Sequence, residues 1–148
     1  MPVTIRHVQP SDYGRVIQHV NEWWGGREMA PMLPRLFFIH FEGTSFVADR
    51  EDGTLAGFLI GFLSQTDAET AYVHFVGVDP GKRGSGLGRE LYERFFEAVA
   101  PRHVVRAVTS PVNKQSIAFH RALGFDVERV EQNYDGRGEP RALLVKRL

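Results

Sequence analysis

The chain has 148 residues, 43% of them apolar and 24% charged, and no cysteine. That length suits one ordinary domain, 1–148, with a real core, and the missing thiols exclude disulfides, thiolate metal sites and a cysteine acyl-enzyme. Lys plus Arg total 18 and Asp plus Glu total 18, so no excess positive field is present to hold a nucleic acid.

Val3 to Val8 alternates in the manner of a strand, and no signal-like apolar stretch follows the start of the chain. No later run approaches the span of a bilayer, so a soluble cytoplasmic protein with no membrane partner is expected. Pro10, Ser11 and Asp12 offer cap chemistry ahead of Tyr13, Val16, Ile17 and Val20, which recur at helical spacing. Trp23-Trp24-Gly25-Gly26 stops that helix, and Met29 to Phe41 reads as a second helical stretch interrupted by Pro31 and Pro34. Ser45 to Arg50 and Thr54 to Ser64 are β-rich runs; the Asp52-Gly53 pair between them predicts an antiparallel hairpin.

Ala71 to Val78 predicts a further strand, with Tyr72, His74, Val76 and Val78 on one face and Val73, Phe75 and Gly77 on the other. Both faces are mostly apolar, which places it centrally. Leu87, Leu91, Phe95 and Val99 then recur at helical spacing before Pro101, and Val104 to Thr109 resumes strand character. Strand, helix and strand joined this way form a βαβ unit with parallel strands. Asn113 to Leu123 is another helix, closed by Gly124. Two last strands, Asp126 to Val130 and Ala142 to Lys146, flank a loop around Tyr134-Asp135-Gly136. The expected fold is α/β: a mixed sheet with helices on both faces.

The run Val78-Asp79-Pro80-Gly81-Lys82-Arg83-Gly84-Ser85-Gly86-Leu87-Gly88-Arg89 carries most of the chemistry, because it joins a buried strand to an amphipathic helix. Amide N–H groups and the positive end of the helix dipole converge there. Gly84, Gly86 and Gly88 remove the Cβ atoms that would hold a ligand off, and Lys82, Arg83 and Arg89 add charge. This predicts a pyrophosphate cradle; the alternative is a glycine-rich turn packed closely on the sheet. The spacing is G-x-G-x-G, and neither G-x-x-x-x-G-K-[ST] nor G-x-G-x-x-G is present, which weakens ATP and NAD as ligands.

Arg83-Gly84-Ser85-Gly86-Leu87-Gly88 resembles the acetyl-CoA loop, Arg/Gln-x-x-Gly-x-Gly/Ala, of the GNAT superfamily of N-acetyltransferases. A second family element, Asn followed by a helix ending in an aromatic pair and Leu-Gly-Phe, is matched by Asn113 through Phe119, His120, Leu123, Gly124 and Phe125. The order of strands and helices is similar as well. The resemblance implies a GNAT acyl-CoA N-acyltransferase fold, its central sheet mostly antiparallel with one splayed parallel pair. It also implies acetyl-CoA as cosubstrate and an amine acceptor, small molecule or protein, that attacks directly in a ternary complex.

Residue by residue, the resemblance gives the main chain of Val76, Gly77 and Val78 to the pantetheine arm, with the Val76 N–H polarising the thioester carbonyl. The loop from Lys82 to Arg89 takes the diphosphate, and Asn113, Ser116, Phe119 and His120 lie toward the cofactor, with capping of the helix start the alternative for Asn113 and Ser116. The family commonly has Tyr where this chain has His120, and three roles are open to that histidine: proton donor to the departing thiolate, cofactor contact, or a partly exposed side chain of the helix. Tyr72 and His74 share a strand face with Val76, so His74 is a candidate to relay the amine's proton, against the alternative of a buried, hydrogen-bonded core histidine. Trp23 and Trp24 are candidates to wall the amine site, with core packing the alternative, and His40 and Phe41 are open to either. Tyr134 and Asp135 are candidates to fold over the acceptor, the alternative being a solvated turn. Asp135 would suit a cationic amine.

Six histidines are present, yet none has H-x-x-x-H or H-E-x-x-H spacing, so no metal is expected. Two rival readings remain: an acyl-CoA sensor without turnover, which the His120 departure permits, and a dinucleotide-binding oxidoreductase, disfavoured by glycine spacing and position. Monomer and homodimer are both open.

Overall fold

A computed structural model describes residues 2–148. Strands form at β1 (Val3–His7), β2 (Phe46–Arg50), β3 (Leu55–Leu63), β4 (Thr70–Val78), β5 (Val104–Thr109), β6 (Asp126–Glu131) and β7 (Arg141–Arg147). The α-helices are α1 (Tyr13–Trp23), α2 (Leu36–His40), α3 (Leu87–Val99) and α4 (Lys114–Ala122). The strands make a seven-stranded sheet in the order β1-β2-β3-β4-β5-β7-β6. β4 and β5 run parallel, as expected of two strands joined through a helix, while β1 with β2, β2 with β3, β5 with β7 and β6 with β7 are antiparallel. The chain falls into two compact units, divided at the end of β3, within β4 and after α3: one takes the chain up to Phe62 with Phe75–Ala100, the other Leu63–His74 with Pro101–Leu148.

In the first unit the apolar spacing of α1 buries Val16, Val20 and Trp23 against Val47, Phe58, Ile60 and Phe75. Neighbouring residues on β3 then show that helices cover both faces. Phe58 stacks on Trp23 with ring centroids 6.0 Å apart. A Cβ added to Gly57 would instead meet Leu87 and Leu91 of α3 at 3.2 and 3.3 Å. The entry to α1 is held by charge. Buried Asp12 accepts 2.9 Å bonds from Nη1 and Nη2 of Arg6, one from Arg15 at 3.1 Å and one from the Gln9 N–H at 2.8 Å. Both arginines also reach Asp49, at 2.9 and 2.6 Å. Burial alone would raise the Asp12 pKa, but the Arg6 and Gln9 bonds and the two positive charges hold it below the ordinary carboxylate value.

The helical stretch expected over 29–41, interrupted by Pro31 and Pro34, forms as two pieces, a 3-10 turn at Ala30–Met32 and the five-residue α2. Pro31 and Pro34 each remove an N–H and stop a continuous helix from passing through.

In the second unit the β4–β5 ladder runs from Thr70↔Val104 to Val73↔Ala107, although β4 itself continues to Val78. Arg102 fastens the turn into β4 by donating to the carbonyls of Ser64, Asp67 and Thr70 at 3.0, 3.1 and 2.8 Å. Strand β6 is an exposed edge with a bulge between Val127 and Arg129. Among the described residues no helix is long and apolar enough to cross a membrane.

Candidate functional site

β4 ends at Val78 and the chain enters a 3-10 turn, Pro80–Lys82, nucleated by Asp79, whose side chain accepts from the Gly81 N–H at 3.0 Å. Arg50 steadies the same carboxylate at 2.6 Å, and together these bonds hold the Asp79 pKa below the ordinary value. Gly84 and Gly86 follow with φ of 81° and 89°, a region that side chains rarely adopt. Gly86 is the N-cap of α3 and supplies no side-chain cap. The Glu90 N–H bonds the Gly86 carbonyl at 3.0 Å, and the N–H groups of Leu87 and Gly88 precede it in the first turn of the helix.

A Cβ built on Gly84 or on Gly86 would meet no protein atom within 4 Å. Close packing on the sheet is therefore not what these two glycines serve: they turn the backbone and leave the space above it open. Leu87 and Gly88 are buried, so they anchor the helix start, while Ser85 caps the turn by donating to the Lys82 carbonyl at 2.5 Å. Lys82 is half-buried and Arg89 exposed, and their charges add to the helix dipole.

Arg83 differs from the expectation that its charge lies over the loop. Its guanidinium donates to the Trp23 carbonyl at 2.7 Å. On β4, Val76 and Val78 are half-buried and lie past the last rung paired with β5. Gly77 has a packing reason of its own: a Cβ there would come within 2.7 Å of Phe58 and 2.9 Å of Trp24. Trp23 is 4% exposed and stacks on His19 and Phe58, so its ring belongs to the core and not to a site wall. Trp24 is half-buried, edge-on to Phe75 at 5.2 Å. Phe41 packs on Phe37 and Phe62, whereas His40 is exposed.

In the second unit α4 is closed at its start. The Asn113 side-chain oxygen accepts the Ser116 N–H at 3.1 Å, so its carbonyl is occupied by the cap. His120 is 4% exposed, which removes the partly exposed side chain from its three open readings, and Phe119 and Phe125 each meet its ring edge-on at 5.2 Å. His120 Nδ1 lies 2.8 Å from the Ser116 carbonyl and 3.4 Å from its hydroxyl; a carbonyl only accepts, so Nδ1 carries the hydrogen. Burial pushes the His120 pKa down, and the carbonyl only partly offsets it. The ring is neutral at neutral pH.

Tyr72 is also shifted, but upward, chiefly by burial and then by its neighbours Tyr134 and Asp135, with Arg141 opposing. Its phenol stays protonated. His74 is half-buried. Tyr134 is 43% exposed, and the Asp135 carboxylate is already engaged by Arg141 at 2.8 Å. Sequence reasoning missed Arg141, because nothing in the spacing says that the first residue of β7 turns back to the loop before it. Asn21 was missed too: its side-chain oxygen accepts the N–H groups of Met29 and Ala30 at 2.7 and 2.9 Å and folds the chain after α1. Among the described residues no three metal-ligating side chains gather.

The fold, the parallel pair and an uncapped glycine loop opening the crossover helix define an acyl-CoA N-acyltransferase architecture. The model of the acetyltransferase (GNAT) family matches residues 13–125, and the chain belongs to that family. It is similar to the L-2,4-diaminobutyric acid acetyltransferase of Nocardia farcinica, 40% identical over 85 residues, covering 56% of this chain and 44% of that one. It is also similar to the N-alpha-acetyltransferase RimI of Mycobacterium tuberculosis, 32% identical over 136 residues, with 90% and 84% covered. The chain thus spans less than half the length of the first of these relatives. A solved GNAT-family putative acetyltransferase from Desulfovibrio desulfuricans shares the fold, with a TM-score of 0.82 at 23% identity over 99% of each chain.

Proposed function

We propose that the protein is an N-acetyltransferase that takes acetyl from acetyl-CoA and passes it to a primary amine. The observation that carries this is the start of α3, where two glycines at positive φ leave open space above first-turn N–H groups at the sequence position of the family's acetyl-CoA loop. The donor set fits the group: a diphosphate needs convergent N–H groups, a helix N-terminus and cations, and the loop offers Gly84 to Gly88, α3, Lys82 and Arg89. Bound there, acetyl-CoA supplies an activated acetyl thioester.

The rest of the chemistry falls to the chain. The main chain of Val76, Gly77 and Val78 binds the pantetheine arm, and the Val76 N–H holds the thioester carbonyl oxygen as negative charge gathers on it. Asn113, whose oxygen caps α4, has its amide hydrogens to offer the cofactor, beside Ser116 and Phe119. His74 takes the amine's proton directly or through water. Tyr72, protonated, donates a hydrogen bond and does not serve as a phenolate base. His120, neutral and with Nδ1 turned to Ser116, is a poor proton donor, so the thiolate is protonated by another group or by solvent.

For the acceptor, the names of the two relatives point to a small diamino acid and an α-amine, and Asp135, shared with Arg141, with Tyr134 beside it, is the polar end offered to such an amine. The pinned His120 also favours a second reading, an acyl-CoA sensor without turnover. Titration calorimetry with acetyl-CoA, NAD and ATP, followed by CoA release over diaminobutyrate, other amines and peptides, separates them. Binding of acetyl-CoA alone with release on one acceptor supports the enzyme; binding without release on any acceptor supports the sensor; no heat with acetyl-CoA ends both.

A further inference from the structure

The Trp23 carbonyl is the last of α1, where no helical N–H can reach it, and a cation at that end is favoured by the helix dipole. Arg83 meets it at 2.7 Å and also touches the Val78 carbonyl at 3.4 Å. The guanidinium is therefore spent on main-chain oxygens, one at the end of β4 and one at the end of α1, sixty residues away in sequence. Beyond Trp23 the chain makes a short excursion. Trp24 lays its ring over Gly77, two glycines follow, and Asn21 gathers the N–H groups of Met29 and Ala30 at the far end.

We propose that Arg83 is a positioning residue that ties the glycine loop to the end of α1, so that a ligand filling the loop also stills the 24–29 segment. The near end of that segment hangs on Arg83, the far end on Asn21. A ligand that orders the backbone at Arg83 fixes the root of its side chain, which lowers the entropy cost of keeping the guanidinium on Trp23. The identity of that ligand rests on the cofactor reading above; the tie does not.

The test is amide hydrogen exchange of wild type, Arg83→Met and Arg83→Lys, each alone and with saturating CoA, together with the salt dependence of CoA affinity. Methionine keeps the apolar stem and drops the donors. Without ligand, the amides of Gly25, Gly26 and Arg27 are expected to exchange about tenfold faster in Arg83→Met, with amides in the middle of α3 unchanged. CoA is expected to slow them in wild type but not in Arg83→Met, and Arg83→Lys, which can still donate to Trp23, recovers part of the protection. The slope of log Kd against log salt stays that of wild type. Unchanged exchange at 25–27 in Arg83→Met, or a slope smaller by about one as when a cation leaves a phosphate, overturns the proposal. If CoA does not bind wild type at all, the cofactor reading falls, and the tie is then decided by the ligand-free exchange.

Discussion

Two helices of this protein begin close to glycine- or asparagine-bearing loops, and they begin differently. At α4 the Asn113 side chain turns in and satisfies the Ser116 N–H, and four residues on, His120 closes onto the Ser116 carbonyl. At α3 the cap residue is Gly86, which has no side chain to give, and the space above it and Gly84 is open. A glycine N-cap gives up only about a few tenths of a kcal/mol against a side-chain cap, so leaving α3 without one costs little local stability. The α4 start is finished by the protein alone, and the α3 start is, on the proposed reading, left for a ligand to finish.

The sharpest way to break that contrast is to give α3 a cap of its own. Gly86→Asp would place a carboxylate where the proposed diphosphate site lies. At an effective dielectric of 20, unit charges 4 Å apart repel by about 4 kcal/mol, so CoA affinity should drop by roughly a hundredfold or more. Gly86→Ala, strained at φ 89° but uncharged, should lose less. Calorimetry with a melting curve for each variant checks both; a Gly86→Asp protein that melts normally and binds CoA as wild type does would refute the open start as a phosphate site.

Gly77 offers the next effect down, on stability. It stands where a Cβ would lie 2.7 Å from a Phe58 ring carbon and 2.9 Å from Trp24. Gly77→Ala should therefore cost about 1–3 kcal/mol in urea unfolding, as overpacking does. The same substitution at Gly84 meets open space and suffers only from its positive φ, so a smaller loss is expected there. Equal losses at the two positions would mean that Gly77 is not held by Trp24.

At α4 the corresponding change is removal of the cap. Asn113→Ala should lower stability by about 1 kcal/mol, read as a shift in the urea midpoint at constant m. Its effect on CoA affinity should be far smaller than that of Gly86→Asp, since only the amide hydrogens are free of the cap. A large loss of affinity with no loss of stability would reverse the assignment and make Asn113 a ligand residue first.

Much of this was legible beforehand, for physical reasons that differ from place to place. Alternation in Ala71 to Val78 and the four-residue spacing from Leu87 to Val99 express periodic burial, so β4, α3 and the parallel partner β5 could be read from the sequence. The glycine loop was legible because its residues would be costly anywhere without a purpose. Three things were not. The side-chain direction of Arg83 depends on a carbonyl sixty residues earlier in the chain. The interruption of 29–41 at its prolines was legible, but the length of each piece, a 3-10 turn and the five-residue α2, depends on how each proline meets the turn before it. The burial of His120 depends on Phe125, which returns after the Gly124 turn to lie against the ring.

That burial yields the smallest effect and the last test of the contrast. A histidine ordinarily titrates near 6.5, and in the folded protein burial lowers the His120 value. Below about pH 7 the unfolded chain binds a proton that the folded chain refuses, so stability is fully present above that range and is lost as pH falls through 6.5 toward the lowered value. His120→Phe keeps a flat ring between Phe119 and Phe125 and has no proton to refuse, so the Tm gap between wild type and variant should shift in the variant's favour between pH 8 and pH 5.5. Turnover on any acceptor that wild type accepts should survive the change within a few-fold, because a neutral imidazole turned to Ser116 is not the proton donor. A variant with the wild-type slope of Tm against pH, or one that loses turnover about a hundredfold with CoA affinity intact, would show that His120 titrates in the open and works on the reacting atoms, and the closed end of the comparison would have to be redrawn as part of the site.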